Sequence, residues 1–180
     1  GVSWLDGIAE QWNEAEFIDR LRAASPDVVM IEVKTPVITA AWNWVDRLKA
    51  LFPKTRLVLV GDHVTALPEE SFQKCKVDFV LTGGDYDFLL INVLSNLKNG
   101  EKLEPGIWYR DGRQIKNTGP FVCDHDLRAL PWIDRDLTCW RLYSEKNGNY
   151  RRIPGTYIMS GRDCWHGKCT FCSWTTIYPT

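Results

Sequence analysis

Three short runs of β-branched and aliphatic residues limit this chain more than any other feature: Asp27–Val33 (DVVMIEV), Arg56–Val60 (RLVLV) and Val77–Leu81 (VDFVL). Each has strand length and is apolar with little alternation, so both of its faces need cover. The segments between them have helical spacing. Ala40–Phe52 carries Trp44, Val45, Leu48 and Leu51 on one stripe and is closed by Pro53. Pro68–Lys74 reads as a short helix, and Phe88–Lys98 as an apolar helix closed by Asn99-Gly100. Ahead of the first run, Asn13 reads as an N-cap with Glu14 and Glu16 in the first turn, and Phe17, Ile18 and Leu21 form a stripe ending near Ala24. Val2–Leu5 is a short apolar opening with strand character.

Apolar strands alternating with amphipathic helices predict an α/β fold. The handedness of strand–helix–strand connections makes it a Rossmann- or flavodoxin-like, doubly wound parallel sheet, here over residues 1–104. Ligands of such sheets sit at the carboxyl ends of the strands. In this chain those ends are Lys34–Ala40, Gly61–Leu67 and Thr82–Tyr86, all rich in Gly, Thr, Pro or polar residues. Residues 105–154 follow as a hairpin and connector. GIWYRDGRQIKN at 106–117 reads as a β-hairpin turning at Asp111-Gly112. Residues 118–154 lack periodicity and are expected to be an extended connector, packed by Leu127, Leu130, Trp132 and Ile133. Residues 155–180 begin a further domain, with Tyr157–Met159 as a fresh strand leading into a cysteine cluster.

The formal net charge is -1, so nothing marks a general polyanion binder and nucleic acid is not an expected partner. The longest charge-free apolar stretch, Thr35–Val45, falls far short of the ~20 residues of a spanning helix. No signal-peptide pattern opens the sequence. Its 180 residues begin at Gly1 rather than Met, as a processed or excised chain would. Nine tryptophans and six cysteines are unusual counts. Trp42 and Trp44 fall on a helix and read as sheet-covering residues.

The cysteines are Cys75, Cys123, Cys139, Cys164, Cys169 and Cys172. A disulfide scaffold spreads its cysteines through a small secreted chain. Here half of them fall in the last 17 residues, which points to metal or cofactor chemistry in a reducing, cytoplasmic compartment. Cys75, Cys123 and Cys139 read as packing residues. The cluster has the spacing C-x4-C-x2-C, on a glycine-containing loop. Three thiolates that close together can converge on one centre, and soft thiolates select zinc or iron–sulfur clusters. A structural zinc needs a fourth ligand, for which His166 is the nearby candidate. A [4Fe–4S] cluster held by three cysteines instead leaves one iron open to a cofactor.

The cluster resembles the signature of the radical S-adenosyl-L-methionine (radical SAM) superfamily. That signature is C-x3-C-x2-C after the first barrel strand, with an aromatic residue before the last Cys. Phe171 fills that position, and the first spacing is one residue longer here. The resemblance implies that Cys164, Cys169 and Cys172 hold a [4Fe–4S] cluster whose open iron binds SAM. One electron then splits SAM to methionine and a 5′-deoxyadenosyl radical. Trp165 and Trp174 flank the cluster and are expected to screen it from water.

The body resembles the cobalamin-binding domain that precedes the barrel in one class of these enzymes. PDVVMIEVKTP, VGDHVTALPEE, VDFVLTGGDYDFLL, the hairpin and DLRALPWIDRDL occur in that class's order. The resemblance places Thr35, Pro36, Val37, Gly61, His63, Thr65, Gly83 and Gly84 around cobalamin. A flat ligand needs close backbone approach, which the glycines allow, although glycines also make ordinary strand-to-helix turns. His63 follows Asp62, but Leu67 stands where an axial-ligand motif has glycine. Pocket lining, corrin contact and cobalt ligation all remain readings for it. His125 reads as a surface loop residue.

The expectation is a fragment of a cobalamin-dependent radical SAM methyltransferase acting on an unactivated centre of a small, natural-product-type substrate. A flavodoxin or ferredoxin would supply its electron. The first strand of the sheet domain and most of the barrel, with its SAM-binding strand, are expected to lie outside this chain. The alternatives are a radical SAM cyclase or rearrangement enzyme, and a zinc-stabilised, non-catalytic binding module.

Overall fold

In the computed structural model the three apolar runs become strands β1 (Val28–Glu32), β2 (Arg56–Val60) and β3 (Phe79–Leu81), paired side by side and parallel. Residues 1–144, 151–158, 164–172 and 174 are described. The hairpin strands β4 (Ile107–Asp111) and β5 (Gln114–Asn117) then dock antiparallel on the far edge of β3, with Leu81 opposite Ile107 and Val80 opposite Trp108. The result is a five-stranded mixed sheet in the order β1-β2-β3-β4-β5. The sheet is therefore not wholly parallel, and its order lacks the reversal of a doubly wound sheet. The physical reason is Ile107: fully buried beside Leu81, it makes the hairpin part of the core instead of part of a connector.

The helices still cover both faces, as a Rossmann-like α/β arrangement requires. Leu57, Val58, Leu59 and Val60 of β2 are all buried. Helix α5 (Tyr86–Asn99) presses Leu89 and Val93 onto Val58, Val60, Phe79 and Leu81. Asp78 lies one residue before Phe79 and so shares the opposite face with Val80. Lys49 of helix α2 (Ile38–Leu51) reaches Asp78 from that side, with Nζ donating to Oδ2 at 2.6 Å. Arg56 Nη1 and the Leu57 amide donate to the same carboxylate at 3.0 and 2.8 Å. Two short helices, α3 (Asp62–Ala66) and α4 (Pro68–Lys74), make the crossover from β2 to β3. Arg110 of β4 ties α4 to the sheet by donating to the Phe72 and Cys75 carbonyls at 2.9 and 3.3 Å.

The chain divides into two compact units. One comprises Asp27–His125, which contains the sheet, together with Gly161–Thr180. The other joins Gly1–Pro26 to Asp126–Ser160. In this second unit, α1 (Glu14–Ala24) begins with the expected cap: the Glu16 amide donates to Asn13 Oδ1, and Glu16 Oε2 accepts from the Asn13 amide. Tyr143, on α6 (Arg141–Ser144), donates to Asp6 Oδ2 at 2.6 Å and accepts from Trp4 Nε1 at 3.1 Å. Burial works against the Asp6 carboxylate, but hydrogen bonds from Tyr143, Ala9 and Ile8 hold its pKa below the usual range.

Some expectations fail in this unit. Val2–Leu5 forms no strand, because its side chains are largely exposed and no sheet edge receives it. Tyr157 and Ile158 are in no strand, and Met159 lies outside the described residues. Trp132 is 100% exposed, and Leu127 and Ile133 are also exposed, so of the four expected packing residues Leu130 alone is half-buried. A stretch without periodicity offers no common face to bury. No helix among the described residues is long and apolar enough to cross a membrane.

Candidate functional site

An open cleft of about 440 Å³ lies at the carboxyl end of β3, inside the ~300–1,000 Å³ range of small-molecule sites. Thr65 and Pro68 line it from the crossover helices, Thr82 and Gly83 from the end of β3, and Trp108 and Phe121 from the hairpin side. Thr65 is fixed by its neighbours: its Oγ1 accepts from the Gly83 amide at 3.4 Å and lies 3.2 Å from the Tyr86 hydroxyl. Thr82 Oγ1 donates to the Gly106 carbonyl at 2.8 Å, locking the end of β3 to the start of β4.

Of the residues expected around a ligand, the fold gathers Thr65 and Gly83 at this cleft. Gly61 does something else. Its φ is +115°, and a Cβ there would stand 2.2 Å from the Val33 carbonyl oxygen. It therefore lets the ends of β1 and β2 close together. Gly84 also has positive φ, at 105°, in the turn into α5. Thr35, Pro36 and Val37 form an exposed turn after β1. His63 is buried, with Nδ1 3.2 Å from Thr35 Oγ1, Nε2 3.2 Å from Glu70 Oε2, and its ring edge-on to Trp42. Both of its nitrogens thus have partners within the fold.

His125 is the clear correction. Its ring is not on a free surface loop but is held by two carboxylates, Asp85 at 2.9 Å from Nδ1 and Glu104 at 3.1 Å from Nε2. It also stacks on Phe88 with centroids 4.4 Å apart. Burial opposes its charge, but the hydrogen bonds to Glu104 and Asp85 outweigh that and raise its pKa. Tyr86, Trp108 and Phe121 carry no motif signal of their own. Trp108 and Phe121 reach the cleft because the hairpin pairs with β3, while Tyr86, at the start of α5, supports it through Thr65.

In the cysteine loop, Cys164, Cys169 and Cys172 are thiols of intermediate exposure. A turn links the last two, with the Cys172 amide donating to the Cys169 carbonyl at 3.2 Å. As donors they suit a thiophilic iron–sulfur centre or zinc. Among the described residues, no three Cys, His, Asp or Glu side chains converge as a metal site. Phe171 is 90% exposed, and Trp165 is 94% exposed, with the His166 ring set against it edge-on at 5.4 Å. Elsewhere, Cys75 is buried as expected, whereas Cys123 and Cys139 are exposed and do not pack a core.

Two curated proteins resemble this chain along nearly its whole length. One, named an uncharacterized methyltransferase, comes from Pyrococcus horikoshii. It is 23% identical over 174 residues, which cover 96% of this chain and 37% of the relative. The other is the anaerobic magnesium-protoporphyrin IX monomethyl ester cyclase of Cereibacter sphaeroides. It is 23% identical over 177 residues, 94% of this chain and 28% of the relative. The chain thus spans about a third of the length of these relatives. No protein-family model matches it.

Proposed function

We propose that this chain is part of a radical SAM enzyme whose sheet domain binds cobalamin, and that the whole protein transfers a methyl group to an unactivated centre of a small molecule. One observation carries the reading: the succession of a Rossmann-like sheet with a cleft at its strand ends and three thiols spaced x4 and x2, with Phe171 before the last. The names of the two relatives, a methyltransferase and a cyclase, support an enzyme. The cyclase's name is what favours ring closure as a second reading.

In this proposal Cys164, Cys169 and Cys172 hold the [4Fe–4S] cluster. When bound, the cluster supplies the electron for reductive cleavage of SAM. The protein's own part is positioning and exclusion. Thr65, Tyr86 and Thr82 fix the strand ends against which a flat cofactor lies. A flavodoxin or ferredoxin is the proposed electron donor, in a reducing cytoplasm.

Anaerobic reconstitution with iron and sulfide tests the cluster. The expected product has the spectrum of a [4Fe–4S] centre and loses it in Cys169→Ala. A colourless protein with stoichiometric zinc sinks the proposal and favours the zinc-stabilised module.

A further inference from the structure

Residues 118–125 run from the end of β5 across the strand ends as a strap with two anchors. The first is Phe121, half-buried against the core around β3 and α5. Its ring sits where Gly83 has no side chain: a Cβ on Gly83 would lie 2.0 Å from the ring. Gly106 receives the same residue from the other side, where a Cβ would stand 2.9 Å from the Phe121 Cβ. Both glycines have positive φ, +91° and +92°. Two glycines in a conformation that L side chains avoid thus carve one recess, and Phe121 fills it. The second anchor is His125, clamped by Asp85 and Glu104 and stacked on Phe88. Between the anchors, Val122, Cys123 and Asp124 are exposed.

Phe121 and Gly83 also line the strand-end cleft. We propose that Phe121 is the gate of this cleft: it occupies the glycine recess that a flat ligand would use, and the ligand gains the strand ends when the strap lifts. His125 is the catch, a positioning residue that holds the strap down through Asp85 and Glu104. The inference rests on the reading of the cleft as a cofactor site, and it adds a residue that sets access to it. A ligand that binds only the open state has its apparent affinity lowered by the open fraction. Removing the gate therefore tightens binding.

The test is titration of the purified chain with hydroxocobalamin, followed by the corrin spectrum and by tryptophan fluorescence, since Trp108 lines the cleft. Phe121→Ala is expected to bind roughly tenfold tighter than the wild type, and Glu104→Gln, which weakens only the catch, about two- to fivefold tighter. A merely structural Phe121 would lose affinity along with stability, so a gain in a less stable variant is the signature. Equal or weaker binding in Phe121→Ala overturns the gate and leaves the cofactor reading standing. Amide exchange on the unliganded protein separates the two ideas. Faster exchange at Thr82–Tyr86 in Phe121→Ala, with Leu57–Val60 unchanged, supports the gate even if no variant binds hydroxocobalamin, and in that case the cobalamin reading falls. Unchanged exchange at Thr82–Tyr86 overturns the gate.

Discussion

His125 shows how much one side chain can depend on partners far away in sequence. Asp85 and Glu104 lie 40 and 21 residues from it. Its folded pKa is raised, so its charge stabilises the fold fully below the unfolded value of about 6.5, and that contribution is lost as pH rises through the folded value. Replacement by Asn is expected to cost about 1.5–3 kcal/mol at pH 5.5 in urea denaturation, with the loss shrinking above neutrality. A gap that widens with pH contradicts this. The glycines give a second contrast. Gly61→Ala drives a methyl into the Val33 backbone, which cannot rotate away, whereas Gly83→Ala meets the Phe121 side chain. Both should destabilise by at least ~1–3 kcal/mol, with Gly61→Ala the worse in thermal melts. The sequence marked both glycines as special but did not tell ligand approach from chain packing, because what faces a glycine is decided by another segment.

Among the elements, β2 was the most legible. RLVLV announced two-sided burial, and every residue from Leu57 to Val60 is buried. Leu59→Ala should cost about 2–5 kcal/mol, while Ile91→Ala, at a position 61% exposed on α5, should stay within about 0.5 kcal/mol. The α1 cap was equally readable, since Asn13 and Glu16 are local partners. Asp78 was not. It is a carboxylate inside an otherwise apolar run, and it gathers Lys49, Arg56 and the Leu57 amide from segments far away in sequence. Asp78→Ala strands Lys49 in a largely buried site and should cost about 3–5 kcal/mol in urea denaturation, against near-additive small losses if the ion pairs were superficial. Helix α3, with five residues, was too short to leave a periodic trace, and the pairing of the hairpin with β3 is a non-local choice that turn chemistry cannot reveal.

At the scale of the molecule, the layout of strands and helices could be read from hydrophobic period, while the mixed sheet and the strap across the cleft could not. The cysteine spacing was plain in the sequence, since it needs only counting. Counting alone does not tell an iron–sulfur centre from zinc, since both take thiolates. The six thiols also divide by chemistry. Burial pushes the Cys75 thiol up to about 11, and its Sγ lies 3.2 Å from the Ser71 carbonyl beneath α4. The other five are exposed or half-exposed. Alkylating reagents must reach the sulfur, so in the cluster-free protein those five accessible thiols are the ready targets and Cys75 is silent. The cluster-free protein thus carries its own clock: the appearance of a sixth alkyl group in the mass spectrum marks the moment the end of α4 lifts from the fold.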